Sequence, residues 1–259
     1  MLVLLPPSRS HCDPPSRGRR LRLEDLSFPA VTATRVAVLD ALAQASAGAD
    51  AAARFAVSPK LLPDVRRNVR LSRSATVAVE RLYTGVLYDA LDLAGLDSAA
   101  LRRARRRIVV SSALWGAVRL SDRVPVYRLS MDVALPPLPP LAQTWRAVLG
   151  PVLTEAAGAK GLVVDCRSAD YAASWPLTGA LAARSVAVRV LREGPDGLSV
   201  VSHLAKQVRG LISRQLMIET IEPRSPKALA NQLGQAGWQV ELAAPSRPGA
   251  TWRLDVVIT

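Results

Sequence analysis

Short apolar runs closed by polar turns alternate with longer stretches of helical period along this chain. Met1–Leu5, Ile108-Val109-Val110 and Gly161-Leu-Val-Val-Asp165 are brief and continuous, which predicts strands. Between the first two, Val31, Arg35, Val38, Leu39 and Leu42 recur at helical spacing. A short helix over Asp50–Phe55 follows. Ser58-Pro59 then starts another, because proline suits the first helical position. Leu61, Leu62 and Val65 would face inward there, with Arg66, Arg67 and Arg70 outward. Ala75–Leu93 continues the helical period, with Gly85 inside it, where glycine costs roughly 1 kcal/mol relative to alanine. A break or a close approach is therefore expected at Gly85. Ser98–Arg106 is a further short helix.

The second half repeats the alternation. Leu141–Ala157 is amphipathic, with Leu141, Trp145, Val148, Leu149 and Leu153 on one face. Ser185–Leu191 and Leu198–Leu204 read as a hairpin about Gly194-Pro-Asp-Gly197. Ala205–Ile218 and Ser225–Gly237 are helical, and Trp238–Leu242 and Thr251–Ile258 are closing strands. Leu135-Pro-Pro-Leu-Pro-Pro-Leu141 reads as a rigid connector. This order predicts a mixed α/β fold in one domain over 1–259, with an inserted helical subdomain near 31–106. No apolar run approaches eighteen residues, so no membrane span is expected. Met1–Leu5, cut by Pro6-Pro7 and lacking a basic flank, reads as a strand and not as a signal peptide.

Charge changes the picture more than composition does. The formal net charge is +13 and the sequence pI about 11.0. Lys60, Lys160, Lys206 and Lys227 are the lysines; the remaining basic residues are arginines. The whole excess falls in 1–22, 59–107 and 202–227. If these segments converge, the resulting basic face attracts a polyanion; if they do not, the arginines simply solvate the surface. The run Arg102, Arg103, Arg105, Arg106, Arg107 poses the same choice between a solvated face and a nucleic-acid contact. Cys12, Cys166, His11 and His203 have no zinc-ligand spacing, and neither a metal nor another cofactor is expected.

The chain contains no GxSxG, Walker A, GxGxxG or HExxH motif. Three polar clusters remain, Ser8–His11, Ser112–Arg128 and Asp165–Tyr171, and each follows a predicted strand. Parallel, adjacent strands would bring them to one sheet edge, joined by His203, Lys206 and Arg209. Hydroxyls and guanidinium groups collected there suit a phosphate or another anion. The alternative is that each cluster only satisfies its own turn. Cys166 reads as a nucleophile or a small buried hydrophobe, and His11 as a general base or an exposed loop residue. Tyr83 and Tyr88 read as stacking platforms for bases or as core.

Several stretches together resemble one family. They are MLVLLPPS at 1–8, YTGVLYDAL at 83–91, SSALWGAVRLSDRVPVYRLSM at 111–131, VVDCRSADYA at 163–172 and SHLAKQVRGLISR at 202–214. On these the chain resembles the YaaA family of peroxide-stress proteins over nearly its whole length. The resemblance implies a fold particular to that family, a cytoplasmic location, and a role in limiting hydrogen peroxide damage linked to lower free iron. It also implies DNA binding through a basic cleft, with a helix-hairpin-helix-like element within 55–75. Cleft residues carried over from the motifs are Tyr83, Gly85, Tyr88, Ser112, Arg119, Tyr127, Arg128, Ser168, Tyr171, Lys206 and Arg209, with Ser8 from the opening. One departure stands out: Arg9-Ser10-His11 occupies the place of the family's usual Glu-Thr-Lys or Ala-Lys. The competing expectation is an enzyme for a small anionic or nucleotide-like substrate, using Ser8, Arg128, Asp165, Ser168 and Lys206.

Overall fold

The computed structural model describes residues 1–194, 197–200 and 202–258. Its centre is strand β1 (Leu2–Leu5), in which all four side chains are buried. β2 (Ile108–Ser112) pairs parallel to it on one side, through Val3↔Ile108 to Leu5↔Val110. β3 (Gly116–Arg119) folds back antiparallel on β2. β4 (Val163–Asp165) pairs parallel to β1 on the other side. β5 (Ser185–Gly194) follows β4 in parallel and outruns it, and β6 (Gly197–Val200) pairs antiparallel with the projecting end of β5. β7 (Val240–Ala243) and β8 (Trp252–Ile258) complete the order β7-β8-β5-β4-β1-β2-β3. The fold is α/β: five adjacent parallel strands, antiparallel edges, and helices packed against them. Strands buried on both faces need apolar side chains at every position, and LVLL and IVV supply them.

Helix α1 (Thr32–Ala47) follows the expected spacing, and Arg35 is fully buried on its inner stripe. Its guanidinium donates to the carbonyls of Trp115 (3.1 Å), Ser27 (2.7 Å) and Ala117 (2.8 Å). The expected helix over Ala75–Leu93 is not continuous. Val77–Ala78 and Tyr83–Thr84 pair as short strands with Arg123–Val124 and Ser10–His11, and α2 spans only Val86–Leu91. The chain turns at Gly85, whose φ of 93° is costly for any side-chain-bearing residue. Within 55–75 a left-handed Ala56 leads to short helical turns over Pro59–Leu61 and Leu62–Arg67, with no glycine in the turn.

The arginine run lies on α3 (Ser98–Arg107) and is neither uniformly solvated nor free. Arg105 forks onto Glu80 at 2.7 and 2.8 Å. Arg107 is buried and pairs with Glu222 at 2.7 Å. Arg103 donates to the carbonyls of Met217 and Ile218, and Arg214 to those of Leu91, Asp92 and Gly95. These cations close carbonyl groups that the ends of helices leave open.

α4 (Leu141–Ala157) packs through Trp145, whose indole Nε1 donates to the Ala113 carbonyl at 2.8 Å. α5 (Ser202–Ile218) begins where the expected second hairpin strand was to continue, so that strand is shorter than its apolar run. Pro195 and Asp196, at the expected hairpin tip, lie outside the described residues. α6 (Pro226–Gln235) starts at a Ser225 cap, its hydroxyl accepting from the Ala228 amide at 3.1 Å. Among the described residues no helix is long and apolar enough to cross a membrane.

α5 rests on α2 with almost no gap. A Cβ at Gly210 would stand 2.2 Å from the Leu87 carbonyl oxygen and 2.8 Å from Ala90 Cβ. Backbone cannot yield as a flexible side chain does, so Gly210→Ala is expected to destabilise by about 1–3 kcal/mol. Urea unfolding should show a lower midpoint at unchanged slope; an unshifted midpoint would show that the two helices separate freely.

Candidate functional site

The parallel arrangement decides where the polar clusters go. β4, β1 and β2 are neighbours pointing the same way, so their exits at Asp165, Leu5 and Ser112 open at one edge of the sheet. Three adjoining cavities of about 420, 290 and 210 Å³ meet there, and Arg9 borders all three. Arg128 borders the two smaller ones. A broader trough of about 1060 Å³ lies elsewhere, between the end of α5 and α6, and does not touch the strand ends.

Seven of the expected residues line the 420 Å³ cavity: Ser8, Gly85, Tyr88, Ser168, Tyr171, Lys206 and Arg209. They come from the β1 exit, the Gly85 turn and α2, the β4 exit, and α5. Gly85 is required by its positive φ, and its Cα lies close to Ser8, whose Oγ would stand 3.4 Å from an added Cβ. Ser8 Oγ accepts from the Ser10 amide at 3.1 Å, which leaves its proton free to donate. Lys206 is exposed to the cavity and forms no ion pair among the described residues. Arg209 gives one nitrogen to the Val188 carbonyl at 3.1 Å. Asp132 and Asp170 also border the cavity. The side chain of His203 lies outside the described residues.

Ser112, Tyr83 and Tyr127 sit behind this wall and not on it. Ser112 is fully buried; its Oγ accepts from the amides of Leu114 (3.2 Å) and Trp115 (3.0 Å), the work of a turn. It lies 2.8 Å from the Tyr127 hydroxyl, which in turn lies 2.9 Å from that of Tyr83. Tyr88 packs its ring 5.2 Å from Tyr83 and donates to the Pro6 carbonyl at 2.7 Å. Burial raises the phenol pKa of all three tyrosines, so they stay protonated and act as a rigid backing. Tyr127 does reach the 290 Å³ cavity, beside Arg128.

Arg119 is not part of this edge. The turn after β2 sends β3 back antiparallel, which pairs Arg119 with Val109, toward the start of β2. There it lies over the Phe28 ring at 5.3 Å and donates to the Arg106 carbonyl. Asp165, a candidate base, is held by Arg167 in a two-pronged buried ion pair at 2.9 and 2.8 Å. Its lone pairs are thereby committed. Cys166 is fully buried, and burial pushes its thiol up to about 12, which suits a small core side chain and not a nucleophile.

Asn68 escaped the sequence reading. Its side-chain amide clamps Arg128 from both sides, donating to the Arg128 carbonyl at 2.7 Å and accepting from the Arg128 amide at 2.9 Å. The only signal was a lone asparagine among arginines. Arg128 also donates to the Arg9 carbonyl at 3.0 Å, tying the β1 exit to the Pro125–Met131 stretch.

His11 is neither exposed nor a poised base. Its ring lies between those of Tyr83 and Tyr127, at centroid distances of 5.4 and 5.3 Å. Burial first, then the charge of Arg128, push its pKa down from 6.5 to about 4. Its Nε2 is buried without a hydrogen-bond partner among the described residues.

The class of protein is thus an α/β protein with a partly basic cavity at the exits of its central parallel strands. Comparison with known proteins places it more narrowly. The model for the family described as "Peroxide stress protein YaaA" matches residues 1–243. A UPF0246 protein of Streptomyces coelicolor is 46% identical, covering 100% of this chain and 98% of its own. UPF0246 proteins of Corynebacterium efficiens and Corynebacterium glutamicum are 36% and 35% identical, each covering 93% of this chain and 95% of theirs. The chain belongs to the YaaA family of peroxide stress proteins.

The buried neutral His11 makes stability depend on pH. Its folded pKa lies below its unfolded value, so its contribution is complete above pH 6.5 and is lost as pH falls toward 4. Between pH 7 and pH 5 this amounts to about 2 kcal/mol. Urea unfolding of the wild type and His11→Gln at both pH values should show the loss in the wild type and a flatter response in the variant. Equal slopes would mean that the imidazole is not held neutral.

Proposed function

We propose that this chain limits peroxide damage in the cytoplasm as a DNA-binding protein. The observation that carries the reading is the set of adjoining cavities with Arg9 at their common border. Around them Arg9, Arg128, Lys206 and Arg209 have no carboxylate partner among the described residues, whereas Arg54 and Arg67 are paired with Asp50 and Asp64. Cations left unpaired in a groove are placed for phosphate contacts. Asp132 and Asp170 interrupt the positive surface, so the contacts are discrete and not a uniform field. Arg9, at the border of all three cavities, adds to the attraction.

The small-substrate enzyme reading draws on the concavity of the 420 Å³ cavity, a size common for small-molecule sites, and on Ser8, Ser168 and Lys206 in its lining. Asp165 is committed to Arg167 and Cys166 is buried, so neither supplies the base or nucleophile of that reading.

Counterion release sets the test. Binding to duplex and single-stranded DNA should weaken linearly in log K against log salt, and removing one phosphate contact with Arg9→Ala or Lys206→Ala should lower the slope by about 1. Fluorescence anisotropy from 50 to 300 mM salt measures it. Affinity weaker than micromolar at the lowest salt, or indifferent to salt, would overturn the reading.

A further inference from the structure

The lining of the 420 Å³ cavity is chemically mixed, and the groove reading uses only its cations. Lys206 and Arg209 stand three residues apart on α5, and the hydroxyl-bearing Ser8 and Ser168 line the same cavity, as does Arg9. Cations and hydroxyls within one cavity match the oxygens of a single phosphate. The lining also has an apolar and aromatic part. Leu129 and Met131 are buried, and Tyr171 borders the cavity. Burial raises the Tyr171 phenol, so the ring stays neutral. Asp132 and Asp170 line the same cavity and are exposed. Carboxylates repel a bare phosphate, and inorganic phosphate would gain nothing from the apolar lining.

A ligand that satisfies all three features is anionic at one end, flat and apolar over its faces, and carries N–H donors at its rim. We propose that this cavity is a binding site for one nucleotide unit. The phosphate lies toward Lys206 and Arg209, the base against Tyr171 and Met131, and the base amino or imino groups toward Asp132 or Asp170. Aromatic faces hold bases by stacking whatever the sequence, and carboxylates accept from exocyclic amines. Such a unit arrives either as a free mononucleotide or as an unstacked residue of a strand lying in the groove. The assignment goes beyond the groove reading and does not need it: a free nucleotide can occupy the cavity whether or not a polymer binds outside.

Isothermal titration of the full chain with inorganic phosphate, each nucleoside, each nucleoside 5′-monophosphate and a short single-stranded oligonucleotide tests this. At least one monophosphate should bind ten-fold or more tighter than both phosphate alone and its own nucleoside. Ser168→Trp and Asp170→Trp, which fill the cavity from two positions, should each weaken that binding at least ten-fold while retaining the wild-type melting temperature. Because Asp170 is exposed, its variant keeps the test valid if Ser168→Trp fails to fold. If the oligonucleotide competes with the monophosphate, the unit is drawn from a strand; if it binds without competing, the free nucleotide is the ligand. Monophosphates that bind no better than phosphate, or that ignore both filled variants, overturn the assignment. Loss of duplex binding alone would overturn the groove reading and leave this one standing.

Discussion

The structure depends on burying one short strand from both sides. All four side chains of β1 are buried, and the strands hydrogen-bonded to its two edges both run parallel to it. Parallel strands place their exits at a common edge. The three polar segments that leave β1, β2 and β4 therefore have no choice but to meet. The cavity is a consequence of that packing before it is anything else, and the helical residues around it are brought in by the close contact of α5 on α2 at Gly210, by Tyr88 on the Pro6 carbonyl and by Arg209 on that of Val188.

Arginine does two jobs in this chain, and they are separated by geometry. Arg35, Arg103, Arg107 and Arg214 reach carbonyls or carboxylates that would otherwise be left unsatisfied. A guanidinium has five donors and no acceptor, so it suits clusters of carbonyls that lysine could not span. Removing Arg35 or Arg107 leaves buried acceptors bare, which is the costly half of a lost hydrogen bond. Arg9, Arg128, Lys206 and Arg209, along the groove, have no opposing carboxylate among the described residues. The cations of the first group are committed within the fold, so the net charge of +13 overstates what a polyanion would meet.

Within the family signature the same division appears. Ser112, Tyr83 and Tyr127 form a buried hydroxyl network that shapes the wall, whereas Ser8, Ser168, Tyr171 and Lys206 face the space. Family membership itself rests on the match over residues 1–243 and on relatives that cover nearly the whole chain. The Arg9-Ser10-His11 loop divides its two basic side chains between different surroundings. Arg9 sits at the shared border of the cavities, and His11 is shielded and neutral between two tyrosine rings.

Much of the fold was legible from local pattern. Apolar runs located β1, β2 and β4, and helical period located α1, α3 and α4, because burial demands those side chains wherever the partner lies. Gly85 announced a break, though not that the helix would give way to paired strands, since that pairing needs Ser10–His11 from far along the chain. The sequence by itself determined which segments are buried and which residue types gather after each strand. Tertiary structure alone decided that Arg119 turns away, that Asp165 is consumed by Arg167, that Asn68 holds Arg128, and that His11 is neutral. Arg119 follows strand direction and Asn68 reaches Arg128 across 60 residues, which local spacing does not record; Asp165 and Arg167 are two residues apart, but their pairing, like the neutrality of His11, depends on burial.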